Sequence, residues 1–158
     1  MNSLGLIAKK GSDYHQALEC YRLAMELLPH TEEVAKMLEV RYNLADVYRK
    51  LERWDDAKEL YVSTLAQLEA RYGASHPEVA EVCNSLGMLE KKLNNYTVAL
   101  KHYKRALKIV EHFFGKQHPK VGMYQTNIGD IYRCELPSSC EHVCWGGVQI
   151  LLTAICCF

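Results

Sequence analysis

A pattern that returns about every 42 residues constrains this chain more than any other feature in it. Small residues follow hydrophobic ones at Leu4-Gly5, Leu44-Ala45, Leu86-Gly87 and Ile128-Gly129, at spacings of 40, 42 and 42. Nine residues later stand Tyr14, Trp54 and Tyr96, and three further on Ala17, Ala57 and Ala99. Four beyond those come Tyr21, Tyr61 and Tyr103. Self-similarity at a fixed period marks an array in which each unit buries its apolar face only against its neighbours.

Within a copy the apolar spacing is helical twice. Leu86, Leu89 and Leu93 form one stripe; Ala99, Leu100, Tyr103, Ala106, Leu107 and Val110 form another. Asn94-Asn95 separates the two, as Arg53 and Ser12-Asp13 do in the other copies. His76-Pro77 and His118-Pro119 open the following helices, with proline in a first-turn slot where its missing N–H costs nothing. Gly73 and Gly115 are suited to stop the helices before them. First helices are expected to start near residues 31, 76 and 118, and second helices near 13, 54 and 96. Four prolines and nine glycines are too few for a sandwich or barrel with a turn every ten residues. The fold class is all-α, a solenoid of antiparallel helix pairs.

The pattern resembles the tetratricopeptide repeat, which Leu4, Gly5, Tyr14, Ala17, Tyr21, Ala24 and Pro29 follow in order. The long period, with Tyr72-Gly73-Ala74-Ser75-His76-Pro77 echoed by Phe114-Gly115-Lys116-Gln117-His118-Pro119, is similar to the variety in kinesin light chains and nephrocystin-like proteins. The resemblance covers residues 2–133 and implies a right-handed solenoid. Thr64 stands where the family has alanine, and Glu90 where it favours tyrosine.

The register divides the chain into an array over 1–134, of about three repeats with the first and last incomplete, and a cysteine-rich apolar tail over 135–158. Met1 falls inside a first helix, and the repeat ends abruptly after Arg133. A truncated array with an unrelated tail, as alternative splicing produces, is the expectation. Trp145–Phe158 is an apolar run of 14 residues, short of the roughly 20 that a spanning helix needs. Seven cysteines, five of them in the last 25 residues, make a poor disulfide framework. The chain opens without a secretory signal, so a cytoplasmic setting is expected.

Catalytic motifs are missing. Gly115-Lys116 lacks the rest of a phosphate loop, and neither a nucleophile elbow nor a His-Glu-x-x-His pair occurs. Cys140, His142 and Cys144 lack the second half that a zinc site needs. No cofactor or small-molecule substrate is implied, and the chain is not expected to be an enzyme. Nineteen basic and nineteen acidic residues cancel, which argues against nucleic acid as a partner.

The functional signal is a row. Four residues after each small anchor stand Lys9, Arg49, Lys91 and Arg133, followed in three copies by Lys10, Lys50 and Lys92. One position repeated in stacked units forms a stripe along the solenoid. In the resembling family these positions line a concave face that holds extended peptides. An asparagine two residues before the anchor bonds the peptide backbone there; Asn43 and Asn127 match it, and Asn84 stands one residue before their register in the copy between. Cations near helix C-termini also complement the helix dipole, for about 0.3–1 kcal/mol each, so a structural role accounts for the row equally well. The family's carboxylate clamp for chaperone tails is missing, since Tyr42 with Asp46 and Asn84 with Met88 replace its lysine and asparagine. Two functions stand: a non-catalytic scaffold binding a short linear peptide of acidic character, or a truncated isoform without a binding role of its own. The partner is a protein or peptide, with no membrane span.

Overall fold

The computed structural model describes residues 13–27 and 34–135. Among these residues six helices follow one another: α1 Tyr14–Leu27, α2 Val34–Lys50, α3 Trp54–Tyr72, α4 Pro77–Lys92, α5 Tyr96–Phe114 and α6 Pro119–Glu135. Each packs on its sequence neighbours, and α2 on α4 and α4 on α6 also touch across the stack. The expected starts at 13, 54, 76, 96 and 118 fall within a residue of those observed, and 31 lies outside the described residues. α6 runs to Glu135, one residue past the expected edge of the array.

The periodic residues are the core. Ala17, Ala57 and Ala99 are fully buried, as are Tyr21, Tyr61 and Tyr103. A Cβ added to Gly87 would lie 2.7 Å from the Tyr103 ring, so the close crossing of α4 and α5 needs a residue without a side chain there. On α6, Gly122 and Gly129 face open space, because no helix of the described chain follows to cover them.

The turns repeat as faithfully as the helices. His76 caps α4 by accepting the Glu78 N–H at Nδ1, and His118 accepts the Lys120 N–H in the same way. Each ring stacks on the aromatic that ended the previous helix, Tyr72 on His76 and Phe114 on His118. Asp13 caps α1 through the Gln16 N–H. The turns inside each unit close as Schellman motifs: Arg53 N–H donates to the Tyr48 carbonyl and Glu52 N–H to that of Arg49. Asn95 and Asn94 do the same toward Glu90 and Lys91. The pivot residues Glu52 and Asn94 both have φ 60°.

The departure at Glu90 has a structural reason. This carboxylate is 2% exposed, accepts from Asn95 Nδ2 at 2.7 Å and pairs with Lys58 Nζ at 2.7 Å. It therefore ties α3 to α4 and to the turn after it. Burial by itself pushes the carboxyl up, but the Lys58 and Asn95 hydrogen bonds and the Lys58 charge outweigh it. Its pKa lies below the usual value of 4.5. One period earlier, Tyr48 and Arg53 make the same join by a cation–π contact at 4.6 Å. The departure at Thr64 has no such account: its hydroxyl is buried without a partner, and nothing in the structure explains it.

Three outcomes are expected. Glu52→Gly should raise stability by about 0.5–1 kcal/mol in urea unfolding, because a left-handed non-glycine residue is strained; Asn94→Gly should gain less. Because the fold favours ionised Glu90, its contribution is present above the usual glutamate range and lost as pH falls through the lower folded pKa. Glu90→Gln should therefore cost roughly 1–2 kcal/mol at neutral pH, with the difference from wild type shrinking in acid melts. Amide exchange should show residues 118–133 less protected than 76–113, since one face of α6 is uncovered.

Candidate functional site

The first helices α2, α4 and α6 lie side by side and place equivalent residues in rows. Near their C-terminal ends a cavity of about 500 Å³ opens, bordered by Arg49, Lys91, Lys92, Asn127, Met88 and Tyr103. Four of the residues expected from the repeat thus come together. Asn94, Tyr96 and Cys134 complete the rim, and none of them was singled out for binding from the sequence.

The cations differ in how free they are. The sequence row implies an exposed Arg49, but its side chain is only 12% exposed and is held by Asp46, three residues earlier on α2. Arg49 Nε donates to Asp46 Oδ1 at 3.1 Å, and Tyr61 Oη donates to the same oxygen at 3.3 Å. Burial works against the guanidinium charge, but the Asp46 charge and hydrogen bond outweigh it and raise the pKa. Arg49 is therefore a partly buried structural cation. Lys91 has Met88 where Arg49 has Asp46, so it reaches across to Asp130 on α6 at 3.1 Å. Arg133 pairs with the same carboxylate at 2.6 Å and is otherwise exposed. Lys50 and Lys92 are exposed and make no ion pair among the described residues. Lys9 lies outside the described residues.

The polar row is also partly committed. Asn127 Nδ2 donates to Asn84 Oδ1 at 2.9 Å, and one unit earlier Tyr42 Oη and Ser85 Oγ share a hydrogen bond of 3.1 Å. Both bonds join residues 43 apart, so they form a ladder from unit to unit. Its signal in the sequence was polar residues offset by one position in successive copies, which no single-copy motif displays. Asn43, at the head of this row, is 6% exposed and borders a separate cavity between α2 and α4.

Burial pushes the Cys83 thiol up to about 11, which keeps it protonated and inert as a nucleophile. Among the described residues no cluster of His, Cys, Asp and Glu is arranged to hold a metal ion. No helix among them is long and apolar enough to cross a membrane.

Comparison with known proteins agrees with this architecture. A tetratricopeptide repeat profile matches residues 33–111 and 83–135, and a second tetratricopeptide profile matches residues 1–30. Among solved structures, BtubC (BKLC) from P. vanneervenii superposes with a TM-score of 0.73 at 25% identity, over 84% of this chain and 53% of that one. A kinesin-light-chain-like protein of Podosopora anserina with nearly identical TPR-like repeats gives 0.72 at 15% identity, over 84% of this chain and 64% of that one. The chain thus spans about half the length of the first and less than two thirds of the second. Comparison with curated proteins gives no match. With profiles matched from residue 33 to residue 135 and a stack of helix pairs to go with them, the chain belongs to the tetratricopeptide repeat family, whose members are as a rule protein-interaction scaffolds.

Proposed function

We propose that this array is a non-catalytic scaffold whose groove, lined by α2, α4 and α6, holds a short linear peptide of acidic character. The observation that carries the proposal is the cavity where Arg49, Lys91 and Lys92 converge beside Asn127. Three cations around one concavity favour carboxylate side chains, and field is concentrated where low-dielectric walls enclose it. The roles differ. Lys50 and Lys92 supply the unpaired charge, with Lys9 continuing the row. Lys91 and Arg133 share Asp130 and exchange that partner for a ligand carboxylate at small cost. Arg49 stiffens the wall, Asn43 offers its amide to the peptide backbone, and Asn84 and Asn127 do so by exchanging the hydrogen bond they share. A reducing, cytoplasmic setting fits the free thiols of Cys20, Cys83 and Cys134.

The test uses a library of acidic and neutral peptides against the full chain. The double variant Lys50→Glu, Lys92→Glu should weaken acidic peptides by roughly three- to tenfold at low salt. That difference should fade as ionic strength rises and the screening length shrinks toward about 8 Å. Its thermal unfolding should match wild type. Arg49→Glu should instead lower the melting temperature, because it places two carboxylates together against Tyr61. Unchanged affinity for every acidic peptide in the double variant would mean that the row serves only the helix ends.

A further inference from the structure

The geometry points to a second site, outside the groove, that takes the phosphate of a phosphorylated residue on a protein partner. It is the cavity of about 400 Å³ between α5 and the α3–α4 turn. None of its lining residues borders the basic cavity of the groove, so this site does not rest on the groove proposal. Arg105, Lys108, Ile109 and His112 line it from α5, at the i, i+3, i+4 and i+7 spacing that puts residues on one helix face. Ala74 and Ser75 close it from the turn. Among the described residues no carboxylate lines it. Arg105 is held in place there: its Nη2 donates to Glu69 of α3 and, at 3.3 Å, to the Ala74 carbonyl. Both bonds use one nitrogen, so Nη1 and Nε remain for a ligand. Lys108 is exposed and makes no ion pair among the described residues. The same is true of Lys101 and Lys104 earlier on the helix, whose one carboxylate is Glu111. With Arg105 offset by Glu69, three lysines against that carboxylate leave the surroundings of the cavity positive.

A packing role common to the repeat would recur with it, as the histidine caps and the Schellman turns do. These cations do not recur: one period earlier their positions are held by Ser63, Ala66 and Ala70. The helix dipole accounts for His112, which stands in the last turn of α5, and for neither Arg105 nor Lys108. A guanidinium, an ammonium, an imidazole and the Ser75 hydroxyl offer more donors than a planar carboxylate takes up. A phosphomonoester carries about two charges and a further acceptor oxygen, and suits that set. The apolar surroundings select a protein over a free ion. The Phe113 ring is 52% exposed and lies with its centroid 5.9 Å from that of His112. Tyr72 is exposed as well and stacks on His76, the residue after Ser75. Exposed rings beside a charged cavity are the mixture that protein interfaces use. They contact the residue next to the phosphate, which a free ion does not have.

The experiment titrates the isotope-labelled full chain with N-acetyl-phosphoseryl-leucine amide, its unphosphorylated form, the glutamyl analogue and inorganic phosphate. The signals followed are the Ala74 and Ile109 methyls, the Ser75 amide and the Phe113 ring. The phosphorylated probe should shift all of them saturably and the unphosphorylated probe none, while the glutamyl probe should bind at least about fivefold more weakly. Lys108→Gln should weaken the phosphorylated probe by roughly three- to tenfold, with thermal unfolding unchanged because the side chain is exposed. Lys101→Gln removes the same charge from the same helix outside the cavity and should cost less than about twofold. No shift from the phosphorylated probe, or equal losses from the two variants, would overturn the site. Inorganic phosphate binding as tightly as the phosphorylated probe, with Phe113 unmoved, would overturn the protein partner. The groove variant Lys50→Glu, Lys92→Glu should leave these titrations as in wild type, so failure of this site and failure of the groove are read separately.

Discussion

A tyrosine ring laid over a residue with almost no side chain is the contact on which this architecture depends. Tyr103 lies so close to Gly87 that a methyl group there would strike the ring, and Tyr61 is equally buried one unit earlier, where Ala45 takes the glycine's place. The small residue lets the two helices of a unit approach, and the ring fills the space that remains. Once that crossing is fixed, the faces of the first helices that carry the rows are fixed with it. Burial pushes the Tyr21 hydroxyl up to about 12 and those of Tyr61 and Tyr103 above the ordinary phenol range, so the core keeps neutral rings at any physiological pH.

The same contact reaches the groove. The Tyr61 hydroxyl donates to Asp46, which holds Arg49, so a core ring and a groove cation meet on one carboxylate. In the next unit Met88 stands in the aspartate's position, and Lys91 is released to bind Asp130 on the following helix. A change at one repeat position thus converts an ion pair within a unit into one between units. Other ties run between the second helices and across the stack, as in Arg105 with Glu69 and Lys120 with Glu81. With Arg49, Lys91 and Arg133 engaged in such pairs, the usable charge among the described residues of the row is concentrated at Lys50 and Lys92.

Glu90 shows how a departure from a repeat can be structural. A buried carboxylate replaces an aromatic ring, and Lys58 and Asn95 supply the partners that ring did not need. The Tyr48–Arg53 contact one unit earlier joins the same two positions by different chemistry. The backbone closure is identical in both, which explains how the side chains were free to change.

The sequence by itself determined the fold. Helix starts, the buried alanines and tyrosines, the histidine caps and the glycine stops all follow from local rules applied at a 42-residue period. Those signals are legible because each depends on neighbours within one turn of helix or on the identical position one unit away. The grouping of Arg49, Lys91, Lys92 and Asn127 around one cavity was legible too, as a row. Only the tertiary structure decided which of those groups are available. Arg49 is withdrawn by Asp46 and Tyr61, Asn84 and Asn127 bond each other, and Lys91 is drawn across to Asp130. Pairing of that kind is set by distances of a few ångströms between helices, and a repeat pattern fixes which residues are neighbours without fixing which of them bond.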